Sequence, residues 1–345
     1  MATTLDVPLV RSGRAHRRRR STTVTVVLAV IALCLFVLTM MVGSYYVSPI
    51  DVVGSVLGLS DDPTNAFIVR DLRLPTAAGG LAVGVALGIS GLVFQKLLGN
   101  PLASPDFVGV SSGASLLAVT SIVIFNASSA VISGSALVGA LLTAVLIYLL
   151  AWRGGLSGYR FILIGIAVSE FMLSVVGYII SRAELYEARE AMTWLVGTIG
   201  QAGAGELRTL IGALVVLVPV ALVLERPLRT LELGDDTAKA LGSRVELNRL
   251  VLIGLSIVLI GLSVAVAGPI MFVALIAGPI AQRLTGPSGG VLAAGLVGAI
   301  IVLGADLVAQ QLLPVPLPTG VVTGIIGAPY LIWLLATVNR EGRGG

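Results

Sequence analysis

Residues 75–98 read PTAAGGLAVGVALGISGLVFQKLL, and this stretch decides the fold. It carries no charge before Lys96. About 20 apolar residues are what a helix needs to cross the hydrocarbon core of a bilayer. Gly80, Gly84 and Gly88 recur at every fourth position, so they share one helix face. Small residues on one face let membrane helices approach to backbone contact, where dispersion replaces the hydrophobic drive. Gly165 with Gly177, and Gly254 with Gly261, repeat the theme in later apolar stretches. The pattern is that of a tightly packed helix bundle in lipid. It assigns no activity by itself.

Further apolar windows lie at 22–44, 107–125, 130–152, 160–181, 208–225, 248–267, 269–284, 289–313 and 319–338. The chain has 345 residues, of which 56% are hydrophobic and only 12% charged, and its mean hydropathy is +1.02. A soluble domain carries about a quarter charged residues to keep its surface wetted. Half that fraction leaves apolar surface that must face lipid. The expected fold is all-α and integral to the membrane, with about ten transmembrane helices. One domain, 22–338, stands between a basic tail at 1–21 and a short tail at 339–345.

The first tail holds Arg11, Arg14, Arg17, Arg18, Arg19 and Arg20. Under the positive-inside rule such a run keeps the N-terminus in the cytoplasm. The net charge of +4 is therefore a topology signal, and no nucleic-acid partner is expected. The apolar run that follows is too long for the core of a cleaved signal peptide. An even number of spans returns the C-terminus to the same side. Lys96, Arg153, Arg160, Arg226, Arg229, Lys239, Arg244, Arg249, Arg283 and Arg340 then fall on the cytoplasmic side. Asp61, Asp62, Asp71, Glu184, Glu187, Glu190 and Glu206 fall opposite, with fewer arginines, and the excess of basic residues on the cytoplasmic side is the bias the rule requires.

Cys34 is the only cysteine and His16 the only histidine, so no internal disulfide, metal centre or Ser-His-Asp triad is expected. No Gly-x-x-x-x-Gly-Lys-Ser/Thr segment is present, so the chain is not an ATPase. Two polar stretches interrupt the spans. Val47 to Arg73 reads as an external loop. Glu225 to Arg249 is the longest cytoplasmic connection, with 226–249 as its functional part. Within it, Asp235 or Asp236 is expected to N-cap a two-turn helix that Gly242 stops.

Several segments together resemble the FecCD-type permease family, the membrane subunits of siderophore, haem and cobalamin importers. They are Arg73-Leu74-Pro75, Gly84 through Gly91 with Gln95, Asn100 through Asp106, Gly109 through Ala114, Leu233 through Gly242, Ala267 through Val273, and Pro318 through Thr323 with Gly327-Ala328-Pro329. The resemblance covers most of the chain and keeps the family's order. It implies the BtuC-like type II importer permease fold, one half of a helix-bundle pair. ATPase subunits would sit beneath, holding the ATP and Mg²⁺, and a substrate-binding protein above. It implies that Leu233, Gly234, Asp235, Ala238, Leu241 and Gly242 form the coupling region seated in the ATPase. It also implies that Arg73, helped by Arg70, docks carboxylates of the binding protein, and that the fifth and tenth spans line the pathway.

The chain departs from the family's text at several points. Thr76 replaces a second docking arginine, Gln310 stands near the place of another, and Pro316-Leu317-Pro318 replaces Glu-Leu-Pro. Gly278-Pro279-Ile280-Ala281-Gln282-Arg283 lacks the usual histidine. A weakened docking set is expected where a second, different permease supplies the other half.

Glu170 sits mid-span, where a charge costs at least about 2.5 kcal/mol. Either it faces the pathway, or it is neutralised or hydrogen-bonded to Ser169, Ser174 or a neighbouring helix. Ser111 and Ser112 either line the pathway or satisfy backbone at the start of the third span. Asp306 resembles an aspartate of the family, which implies packing or capping. The expected function is ATP-powered import of a ferric siderophore across a bacterial inner membrane, with cobalamin, haem and oxyanions as other cargoes. An ion-coupled carrier using Glu170 and Asp306 is the rival class, but it leaves the 226–249 connection without a role.

Overall fold

The computed structural model describes residues 7–60, 62–106, 109–152, 158–201, 203–286 and 290–341. Asp61, the first six residues of the basic tail, Arg153 and the last four residues lie outside them. Within them the chain is helical, and the boundaries follow from local chemistry. The first helix, α1 (Val7–Met41), continues unbroken from the arginine-rich segment into the first span. Val47–Arg73, read as a loop, instead forms α2 (Pro49–Leu57), α3 (Pro63–Phe67) and a π-helical turn, Ile68–Arg73. Ser48 and Asp62 cap the two short helices, accepting from the amides of Asp51 and Thr64, and a proline follows each cap at the first helical position.

The turn runs straight into α4 (Leu74–Leu98), followed by α5 (Val110–Val123) and α6 (Ser129–Ala151). Next come α7 (Gly158–Arg182), the short amphipathic α8 (Leu185–Val196) and the long α9 (Ala204–Leu231). The six-residue α10 (Asp235–Ala240) connects to α11 (Val245–Ala267). Then α12 (Val273–Thr285) and α13 (Val291–Leu307) lead through a π-helical turn, Val308–Leu312, to α14 (Thr319–Glu341).

Helices α1, α4, α5, α6, α7, α9, α11, α12, α13 and α14 correspond to the expected spans. Seven helical segments among the described residues are long and apolar enough to cross a membrane on their own. Of the other three, α5 has 14 residues and α12 has 13, which is about 20 Å of helix, and α14 is apolar over Thr319–Leu334. The span expected at 269–284 begins only at Val273, because Gly268 and Phe272 both adopt positive φ, +68° and +69°. Residues 268–272 therefore form irregular backbone at membrane depth. Such backbone is tolerated where protein covers it or where it lines a cavity; Gly268 and Ile270 are buried, while Met271 is 52% exposed.

Helix α4 is the axis of the bundle, buried along most of its length against α11, α12 and α13. Its glycines make this possible. A Cβ on Gly84 would lie 2.5 Å from the backbone of Ala299, and one on Gly88 would overlap the Ala294 carbonyl of α13. A Cβ on Gly91 would overlap the Ala274 carbonyl of α12. Gly113 and Gly139 make a similar backbone approach between α5 and α6. The glycine argument fails at Gly177 and Gly254, where nothing stands within 4 Å. In helices that are apolar all round, spacing alone does not say which face turns inward.

Hydrogen bonds reinforce the axis. Ser90 Oγ donates to the Ser256 carbonyl at 2.8 Å and Ser256 Oγ donates back to the Ser90 carbonyl at 3.3 Å, fastening α4 to α11 in the buried core. Gln95 Nε2 donates to the Leu275 carbonyl of α12 at 2.8 Å and to the Pro101 carbonyl at 2.9 Å. Where water is absent, each such bond also spares a buried polar group an unsatisfied valence.

Candidate functional site: the turn between α9 and α11

The polar connection is shorter than 226–249. Helix α9 continues to Leu231, helped by the Glu225–Arg229 ion pair one turn apart at 2.5 Å, and α11 begins at Val245. What remains, 232–244, is a compact turn around α10. Gly234, at φ +91°, is the residue that caps α10, while Asp235 is already its first helical residue. The cap expected at Asp235 or Asp236 is thus displaced to Gly234. The positive φ that the chain needs to leave α9 suits glycine, and it frees the Asp235 carboxylate for another partner. Gly242, at φ +80°, follows the end of α10 and stops it as expected.

The turn is clamped at several points. Glu232 accepts from Lys96 at the end of α4, Nζ to Oε1 2.8 Å, and the lysine side chain is only 8% exposed. Asp235 accepts from Arg249 of α11 at 2.6 Å. Ala238 is fully buried beneath α10, and Asn248 donates to Ser243 Oγ at 3.0 Å. Leu233 and Leu241 point the other way, 60% and 65% exposed. A small rigid knob with two apolar contacts is what docking into a partner's cleft requires. Sequence reading missed both clamps, since nothing in the text pairs Lys96 or Arg249 with an acid so distant in the chain.

At the other end of the bundle, Arg70 donates to the Ser55 carbonyl at the end of α2. Arg73 donates to the carbonyls of Met40 and Met41 at 2.9 and 3.1 Å, and to that of Tyr45, closing the end of α1. A cation at a helix C-terminus is favourably placed. Neither arginine has a carboxylate partner among the described residues, so their charge is positioned but not neutralised. Arg73, Thr76, Thr198, Gln201, Asp306 and Gln310 line a cavity of about 400 Å³ there. Asp306 Oδ1 accepts from Thr319 Oγ1 at 2.7 Å, which in turn accepts from the Ile199 amide at 3.3 Å, tying α13 to the start of α14.

The remaining candidates separate. Ser111 donates to Asp106 Oδ1 at 2.7 Å and Ser112 to the Gly109 carbonyl at 2.8 Å, so both hydroxyls serve the start of α5. Burial pushes the Asp106 carboxyl, in the turn before α5, up to about 6. Glu170 is exposed on α7, and its carboxylate has no hydrogen-bond or ion-pair partner among the described residues. Only Phe161, Gly165 and Val176 of α7 are fully buried, and about half of the helix is exposed, Glu170 with it.

Comparison with known proteins agrees with this architecture. The FecCD transport family matches residues 29–337. The ferric enterobactin transport system permease protein FepG of Escherichia coli (strain K12) is 39% identical over 82% of this chain and 87% of its own. FepD of the same system is 36% identical over 81% of this chain and 84% of its own. A solved metal-chelate type ABC transporter in an inward-facing conformation superposes with a TM-score of 0.81 at 26% identity, covering 92% of this chain and 99% of that one. With its glycine-seamed bundle, its clamped turn around α10 and a family match across nearly its whole length, the chain belongs to the FecCD transport family.

Proposed function

We propose that this chain is the permease of an ATP-driven importer that carries a ferric siderophore inward across a bacterial inner membrane. The observation that carries the reading is the cytoplasmic turn: a six-residue helix between positive-φ glycines, fixed by ion pairs at Glu232 and Asp235, with Leu233 and Leu241 presented outward. An ion-coupled carrier has no use for such a knob; a separate ATPase subunit does. The cargo follows from relatives named for ferric enterobactin, achromobactin and ferric citrate transport. Both termini then face the cytoplasm, as the arginine-rich segment of α1 requires.

The pathway runs along the interface with a second permease. Glu170 supports this, because an unpartnered carboxylate facing lipid is costly, whereas one facing a water-filled interface is solvated. Arg70 and Arg73, held by carbonyls and free of acid partners, offer their charge to carboxylates of a binding protein. The second permease is a different chain. FepG and FepD are two permease proteins of one system, and each is similar to this chain. The test is recovery of the tagged chain from its native membrane. A stoichiometric ATPase and one other permease should accompany it. Recovery alone, or only as a symmetric pair without an ATPase, contradicts the reading.

A further inference from the structure

We propose that the Lys96–Glu232 ion pair is the strut that passes movement of the cytoplasmic turn into the core of the bundle. The inference rests on the reading that an ATPase drives this turn, and it names the residues through which the drive leaves it.

The pair differs from the Glu225–Arg229 pair beside it, and like Arg249–Asp235 it joins two elements. Glu225–Arg229 joins residues of one helix, whereas Lys96–Glu232 joins the last turn of α4 to the first residue after α9. Most of the Lys96 side chain is withdrawn from solvent. Withdrawing the lysine charge from water offsets much of its attraction to Glu232, which keeps 34% of its side chain exposed, so the pair adds little net stability. Its consequence is geometric: it fixes where the turn sits relative to α4.

That position matters because of what lies on either side. Leu233, exposed for contact, stands between Glu232 and Asp235, the two clamped acids. A push on Leu233 is therefore delivered to α4 through Lys96 and to α11 through Arg249. The reciprocal Ser90–Ser256 bonds already join α4 to α11, so the two receive the push together. From α4 it continues through Gln95 to the Leu275 carbonyl of α12, and through the Gly84 and Gly88 approach to α13. Side chains placed near van der Waals limits cannot absorb such a displacement, so it travels.

The experiment uses the assembled complex and replaces both charges at once, because removing one alone would strand the other. Lys96→Cys with Glu232→Cys is made in a Cys34→Ser background, and the two new thiols are left free or joined by a short bismaleimide. The readout is substrate transported per ATP hydrolysed, which a merely structural contact would not move. With the thiols free, the complex should keep its ATPase and hydrolyse ATP but transport about tenfold less per ATP, the size that coupling changes reach. Joining the thiols should restore the ratio, because turn and helix again move as one body. An unchanged ratio with free thiols overturns the proposal. So does loss of transport on cross-linking, which would mean the turn must slide past α4. Loss of the ATPase from the complex also overturns it, since the pair would then shape the docking surface instead. A parent complex without any ATPase would overturn the proposed function itself, and that outcome is visible before any variant is made.

Discussion

Gly91→Val is expected to remove folded protein from the membrane almost completely. A Cβ at this position overlaps the Ala274 carbonyl of α12 and lies 2.9 Å from its Cα. The obstacle is backbone, so no rotamer change relieves it. Overpacking that side chains can absorb costs about 1–3 kcal/mol. Here α4 and α12 must separate, which also breaks the Gln95 bond to the Leu275 carbonyl and takes that donor from a buried carbonyl, while the Gln95 amide keeps its bond to Pro101. The combined effect, roughly 4 kcal/mol or more, is a large part of the whole stability of a typical protein. The check is the yield of monodisperse protein after detergent extraction, with Gly254→Val as the control. Gly254 also sits mid-helix but has open space around it, so its variant should extract normally. Equal yields would show that α4 does not approach α12 as closely as described.

Leu233→Asp combined with Leu241→Asp is expected to release the ATPase while leaving the bundle intact. Both side chains are largely exposed, so the substitutions cost the isolated chain little. An anchor buried in a partner's cleft is commonly worth about 2 kcal/mol or more, and losing even one weakens association about thirtyfold. The variant should extract in normal yield, bring down little or no ATPase and support no uptake. Retained ATPase at parental stoichiometry would remove the turn from the coupling role and leave its rigidity without a function.

Much of this account is legible in the residues, and the exceptions have physical reasons. The close approach at Gly84 and Gly88 could be anticipated from their four-residue spacing, but Gly177 and Gly254, whose partners Gly165 and Gly261 stand twelve and seven residues away, face open space. The turn around α10 could be found because Gly234 and Gly242 bracket a polar run in an apolar chain. Its N-cap was misplaced because an acid ahead of a short helix is the commoner cap, while the exit from α9 demanded a positive φ. Residues 47–73 hide two helices whose Ser48-Pro49 and Asp62-Pro63 starts are ordinary signals, overshadowed by the polar text around them. The partners of Arg70 and Arg73 could not be read at all. They are backbone carbonyls, and every residue has one.

The central claim is that this chain carries ferric siderophore, and uptake of radiolabelled iron tests it most directly. Iron is presented as a ferric siderophore to cells lacking this chain and to the same cells with the intact chain restored, with related permeases removed from both. Uptake that falls on removal and returns on restoration is the predicted result. Equal uptake in the two strains would contradict siderophore import and leave a FecCD-family permease with a different cargo.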